Sequence, residues 1–166
     1  MKIGDKMNEE NSDYQWAMDR ALRILERRDH AVEELRQKLV HPLNKHYQVV
    51  AEDVAQAVIE HLIAIDYLND DRYVERFGDF LARKKSLSLV GLRHELRLRG
   101  VDNETIEKNL PRIDERAQAL RLLRRNYANK LNNEKGVRAA WRSLSRRGYP
   151  SDVIRDVIQQ CCEEAE

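Results

Sequence analysis

Apolar positions recur along this chain at helical rather than strand spacing. In "VEELRQKL", Val32, Leu35 and Leu39 stand at i, i+3 and i+7. The same interval separates Leu89, Leu92 and Leu96, and again Val137, Ala140 and Leu144. Each stripe follows a longer amphipathic segment, at about 13–28, 70–84 and 113–131, and precedes another at about 50–65, 102–110 and 150–162. The pattern predicts about nine helices in three three-helix repeats, 13–66, 67–111 and 112–166, behind a flexible lead at 1–12. Units this small bury little surface alone and must stack, so the expected fold class is all-α, an elongated array of tandem repeats. The plainer alternative is one compact bundle whose helices merely share a period.

The polar punctuation supports the repeat. "RHELRLRGVDNETIEKNL" (93–110) and "WRSLSRRGYPSDVIRDVI" (141–158) match Leu96 to Leu144, Gly100 to Gly148, Ile106 to Ile154 and Leu110 to Ile158. Gly100 and Gly148 stand where a helix ends in a left-handed residue, so positive φ is expected at both. Asp102 or Asn103 can cap the next helix, Pro150 suits a first turn, and Asn69 can cap a helix that opens with two acids. The first repeat departs: Pro42 ends its middle helix, and "HPLNKHYQ" (41–48) replaces the tight glycine turn. "QVV" at 48–50 is too short to be a useful strand signal.

Composition changes this picture little. The chain is 42% hydrophobic, enough for a core, and only 6% aromatic, so aliphatic side chains must carry the packing. No stretch approaches the roughly 18–20 apolar residues of a membrane span, and the first residues lack the apolar centre of a secretory signal. Cys161 and Cys162 are adjacent, which suits neither a disulfide framework nor a zinc site. A cytoplasmic monomer away from membranes is expected. Catalytic constellations are missing: no phosphate loop, GxSxG or HExxH is present. His30, His41, His46, His61 and His94 are scattered, and the loop pair His41 and His46 is a poor metal site. The expectation is a non-enzyme with no cofactor and no metal.

Charge changes the picture more. The formal net charge of +1 conceals +9 over 116–147 and +5 over 83–100, against −4 over 148–166 and −3 over 1–19. Arg121, Arg124 and Arg125 share one helix face, and Arg138, Arg142 and Arg146 form a second ridge beside Arg147. Arg83, Lys84, Lys85, Arg93, Arg97 and Arg99 make the third cluster. Few acids lie nearby in sequence, and guanidinium forks match phosphate and carboxylate geometry. These residues are the candidate contacts to a polyanion or an acidic partner. A helix-turn-helix reading fails, because "DNETIEKNL" is too acidic for a major groove.

Three segments resemble the RecX regulatory proteins of bacteria. "ALRILERRDHAVEELRQKL" (21–39) is similar to the family's N-terminal signature, "AIDYLNDDRYVERF" (64–77) to its central Gly-Tyr-Leu-Asp-Asp segment, and "LRHELRLRGV" (92–101) to its Glu-Leu-x-x-Lys-Gly-Ile element. The chain departs at Ala31, where the family has a capping Ser or Thr, which turns attention to Asp29 as the cap. Asp66 replaces a Gly and Asn69 an Asp, and "KKSLSLVGL" (84–92) lacks the family's Lys-Gly-x-Gly turn. The resemblance implies a modulator that binds RecA filaments on single-stranded DNA. It would restrain filament growth, ATP hydrolysis, strand exchange and co-protease activity, within DNA repair, recombination and the SOS response. The alternative is a sequence-independent nucleic-acid-binding helical protein with no recombinase partner.

Overall fold

The computed structural model describes residues 3–42 and 48–164, with side chains from residue 12 onward. His46 lies outside the described residues. Nine α-helices fill the described chain and no strand occurs among them. They are α1 (Ile3–Leu25), α2 (Val32–Val40), α3 (Glu52–Ala64), α4 (Asp70–Phe80), α5 (Leu89–Arg97), α6 (Asn103–Asn109), α7 (Glu115–Tyr127), α8 (Glu134–Ser145) and α9 (Ser151–Glu163). Helix α1 already runs from Ile3, so most of the lead expected to be flexible, 1–12, is helical backbone. Helix α4 continues directly into one turn of π-helix, Leu81–Lys85, which the helical period alone did not announce.

Side chains that begin the helices explain where they start. Asn69 Oδ1 accepts from the Arg72 N–H at 3.0 Å, Ser88 Oγ from Gly91 at 3.1 Å and Asp102 Oδ1 from Thr105 at 2.9 Å. Asp114 and Asn133 cap α7 and α8 in the same way, at 2.9 and 3.0 Å. Each satisfies an amide that the first helical turn leaves open. Helix α2 is different. Its N-cap is Ala31, and the Val32 N–H donates instead to Asp70 Oδ1 at 2.9 Å, a carboxylate from far along the chain. Gly100 and Gly148 have φ of +80° and +84°, as their place in the repeat predicts.

Among the described residues, only Asp66 (φ 54°) and Ser86 (φ 52°) take a left-handed conformation without being glycine. Both fall where the sequence departs from the glycines of the resemblance. Asp66 is held by its own carboxylate, which accepts from Asn69 Nδ2 at 2.8 Å and from Arg72 at 2.9 Å.

The chain packs as two compact units, residues 1–73 with 99–105, and residues 74–98 with 106–166. In the first, α1 and α2 both pack on α3 around Ala17, Ala21, Leu35, Leu39, Val58, Ile59 and Leu62. In the second, α7 and α8 pack on α9 around Leu122, Leu123, Ala140, Leu144, Ile154 and Val157. A smaller cluster in the second unit joins Leu81, Ala82, Leu87 and Leu92. Aliphatic burial dominates both cores, which is the main stabilising term available to a chain with so few aromatics.

Candidate binding site

In the second unit, the segment that leaves the π turn is tethered residue by residue. The π turn itself buries Leu81 and Ala82 while leaving Arg83, Lys84 and Lys85 exposed. The next residues are fixed one by one. Lys85 O accepts from Arg147 Nε at 3.2 Å, Ser86 O from the Tyr149 hydroxyl at 3.1 Å, and Leu87 O from Gln118 Nε2 at 2.9 Å. The Ser88 N–H donates to Arg147 O at 3.0 Å, and the Leu89 N–H to Glu115 Oε1 at 2.6 Å. Five consecutive residues are thus tied to α7 and to the junction of α8 and α9. Backbone polar groups removed from water need such partners, and here most of them come from side chains. Single π turns in helices are frequent at functional sites.

Beside this segment lies a cleft of about 360 Å³, lined by Ala82, Arg83, Ser86, Gln118, Arg121, Leu122 and Arg125. Three of the candidate arginines therefore meet in one concave space, and no carboxylate is among its lining residues. Arg83 also pairs with Asp79 at 2.9 Å along its own helix, an exposed contact of small energetic weight. Arg125 Nε donates only weakly to Asn126, at 3.4 Å. Lys84 and Lys85 are exposed on the same turn.

Other candidates are placed differently. Arg124 turns to Glu164, which it meets at 2.7 Å, and Gln160 Nε2 donates to the same carboxylate at 2.9 Å. The Arg124 hydrogen bond holds the Glu164 carboxyl below the usual carboxylate range. Arg147 is structural: besides Lys85 it donates to Ser143 O and Oγ, both at 2.7 Å. Arg93 is paired with Glu107 at 2.6 Å, and that hydrogen bond lowers the Glu107 carboxyl. Arg138, Arg142 and Arg146 are exposed, with Arg138 3.4 Å from Glu134. Arg97 is exposed on α5, whereas Arg99 belongs to the first unit, half-buried near Tyr73.

Sequence reasoning grouped Arg121, Arg124 and Arg125 together. The fold keeps two of them in the cleft and gives the third to an acid forty residues away. It also missed Ser86 and Gln118. Gln118 had left a signal, as a polar residue beside Ala119 and Leu120 on the buried face of α7. Among the described residues, no group of three His, Cys, Asp or Glu side chains could hold a metal ion. Nor is any described helix long and apolar enough to cross a membrane.

No family model matches the chain. Individual relatives do. The regulatory protein RecX of Trichlorobacter lovleyi is 37% identical over 147 residues, covering 84% of this chain and 92% of its own. RecX of Chromobacterium violaceum is 31% identical over 139 residues (84% and 86%), and RecX of Escherichia coli strain SE11 is 33% identical over 155 residues (87% and 90%). The crystal structure of RecX from Lactobacillus salivarius superposes with a TM-score of 0.70 at 21% identity, over 92% of this chain and 99% of that one. That likeness shows the same all-α helical repeat fold. With relatives above 30% identity aligned along most of its length, the chain belongs to the RecX family of regulatory proteins.

Proposed function

We propose that this protein is a negative regulator of the RecA recombinase, acting by binding rather than by catalysis. It binds RecA filaments on single-stranded DNA in the cytoplasm and restrains filament growth, ATP hydrolysis, strand exchange and co-protease activity. The observation that carries this reading is the cleft of Arg83, Arg121 and Arg125, with no carboxylate among its lining residues, beside a turn tied down by five hydrogen bonds. Rigid placement lowers the entropic cost of engaging a partner, and exposed arginines steer association with a polyanionic assembly. Lys84 and Lys85, on the same turn as Arg83, and the exposed Arg138, Arg142 and Arg146 add further positive charge to the second unit.

RecA ATPase on single-stranded DNA, with this protein added far below one per RecA subunit, tests the reading. Strong inhibition that persists when DNA is in excess is expected. The double substitution Arg121→Glu with Arg125→Glu should abolish most of it while helical content is unchanged, because Glu and Arg are similar helix formers. Inhibition that vanishes whenever DNA is in excess would replace this reading with simple competition for nucleic acid.

A further inference from the structure

The cleft of the second unit is more specific than a basic surface requires. Its volume, about 360 Å³, lies at the lower end of the roughly 300–1,000 Å³ typical of clefts that take small ligands. The wall combines three guanidinium carriers with the apolar side chains of Ala82 and Leu122. Its base is fixed in two places, since Gln118 Nε2 is spent on Leu87 O and the Ser86 carbonyl is spent on the Tyr149 hydroxyl. Ser86 also holds a left-handed backbone, so its position is set by the fold and not by local preference.

Charge balance separates the possible occupants. Glu164, the acid that reaches the arginines of α7, is engaged by Arg124 and is not among the cleft-lining residues. Arg83, Arg121 and Arg125 therefore share one concavity with no carboxylate in its lining; Asp79 offsets Arg83 from along its own helix, and the remaining positive charge is relieved by an anion or by solvent and salt. A planar carboxylate matches one guanidinium fork. A tetrahedral phosphate offers oxygens in several directions and can engage more than one fork at once.

We propose that this cleft binds a single phosphate group with part of the sugar or chain that carries it. The inference rests on the reading of the basic face as a contact surface, and it narrows what this part of the face touches to phosphate. The phosphate can come from a free phosphoryl compound or from a nucleic-acid backbone.

The test uses the full chain alone, with no recombinase present. Arginine Nε resonances are followed by NMR while three probes are added separately: inorganic pyrophosphate, a short oligothymidylate and a glutamate-rich peptide. Both phosphate probes should shift Arg83, Arg121 and Arg125 together. Shifts with pyrophosphate identify a free phosphoryl ligand as sufficient, and shifts with oligothymidylate alone identify the backbone as the source. The double variant Arg121→Gln with Arg125→Gln should bind about tenfold or more weakly, the loss of at least one charge-assisted contact. Arg124→Gln should bind as the parent does. Shifts at these arginines with the peptide but with neither phosphate probe would overturn the proposal, as would resonances that none of the three moves. If the parent still restrains RecA in that case, the cleft assignment falls and the regulator reading stands.

Discussion

Gly100 and Gly148 occupy the same place in two copies of one sequence pattern and adopt nearly the same φ, yet their surroundings differ in kind. A Cβ on Gly100 would run into Glu33 in the first turn of α2: the Cγ can rotate away at the cost of the side chain's contacts with Arg36 and Gln37, but the Cβ, 2.5 Å away, moves only with the α2 backbone. A Cβ on Gly148 would lie 2.6 Å from the backbone N of Gly91 and 2.7 Å from Ser88 Oγ, the atom that caps α5. Neither of those can yield without moving the start of a helix. The repeat supplies a turn; what the turn is used for is decided by packing. At Gly148 it brings Arg147 and Tyr149 onto the segment that leaves the π turn.

The comparison is most directly broken by substitution. Gly148→Val should cost about 3 kcal/mol or more, the sum of left-handed strain and a displaced backbone. Gly100→Val carries the same strain and meets one neighbouring atom that can rotate away beside one that cannot, so a loss only slightly smaller, about 2–3 kcal/mol, is expected. Chemical denaturation of the two variants measures the gap, and equal losses would show that rotation of the Glu33 Cγ brings no relief.

Two buried tyrosines sharpen it further. Tyr149→Phe removes the donor to the buried Ser86 carbonyl and should cost about 1–2 kcal/mol near neutral pH. Burial pushes the hydroxyls of Tyr73, in the first unit, and Tyr149, in the second, up to about 12. The native protein then keeps protons that the unfolded chain releases above pH 10. Stability should therefore fall between pH 10 and about 12. Tyr149→Phe and Tyr73→Phe should each remove part of that decline, measured as denaturation midpoint against pH. A decline that neither variant alters would remove the tyrosines as its cause.

The smallest effect concerns the two left-handed residues that are not glycine. Ser86→Gly relieves strain at little other cost and should raise stability by a few tenths to about 1 kcal/mol, no more than a few degrees in Tm. Asp66→Gly relieves similar strain but removes the carboxylate bonded to Asn69 and Arg72, so a net change near zero is expected. A larger gain at Asp66 than at Ser86 would mean those bonds contribute nothing.

Helix count, helix spacing and both glycine turns were legible because they depend on residues a few places apart. The left-handed strain at Asp66 and Ser86 was half legible, as departures from expected glycines. The π turn was not. Its one extra residue per turn shifts the phase of everything after Leu81, and a period of 3.6 reads straight through 70–84 as a continuous helix. The cleft was hidden for another reason. Arg83 and Arg121 come together only in the fold, and Glu164 selects Arg124 from a distance at which local charge counting is blind.

The carboxylate on the first amide of α2 belongs to Asp70, thirty-eight residues further on, and the turn that lies over Glu33 comes from Gly100. Synthesis proceeds from the N-terminus, so α2 is translated before either exists. The first packing unit is complete only once residue 105 has been made, when α4, the π turn and α5 have already been translated. A chain that ends at residue 66 would contain α1, α2 and α3 but not the Asp70 carboxylate that accepts from the Val32 amide. The first three-helix segment is therefore shorter than the length of chain that must be made before that packing unit can close.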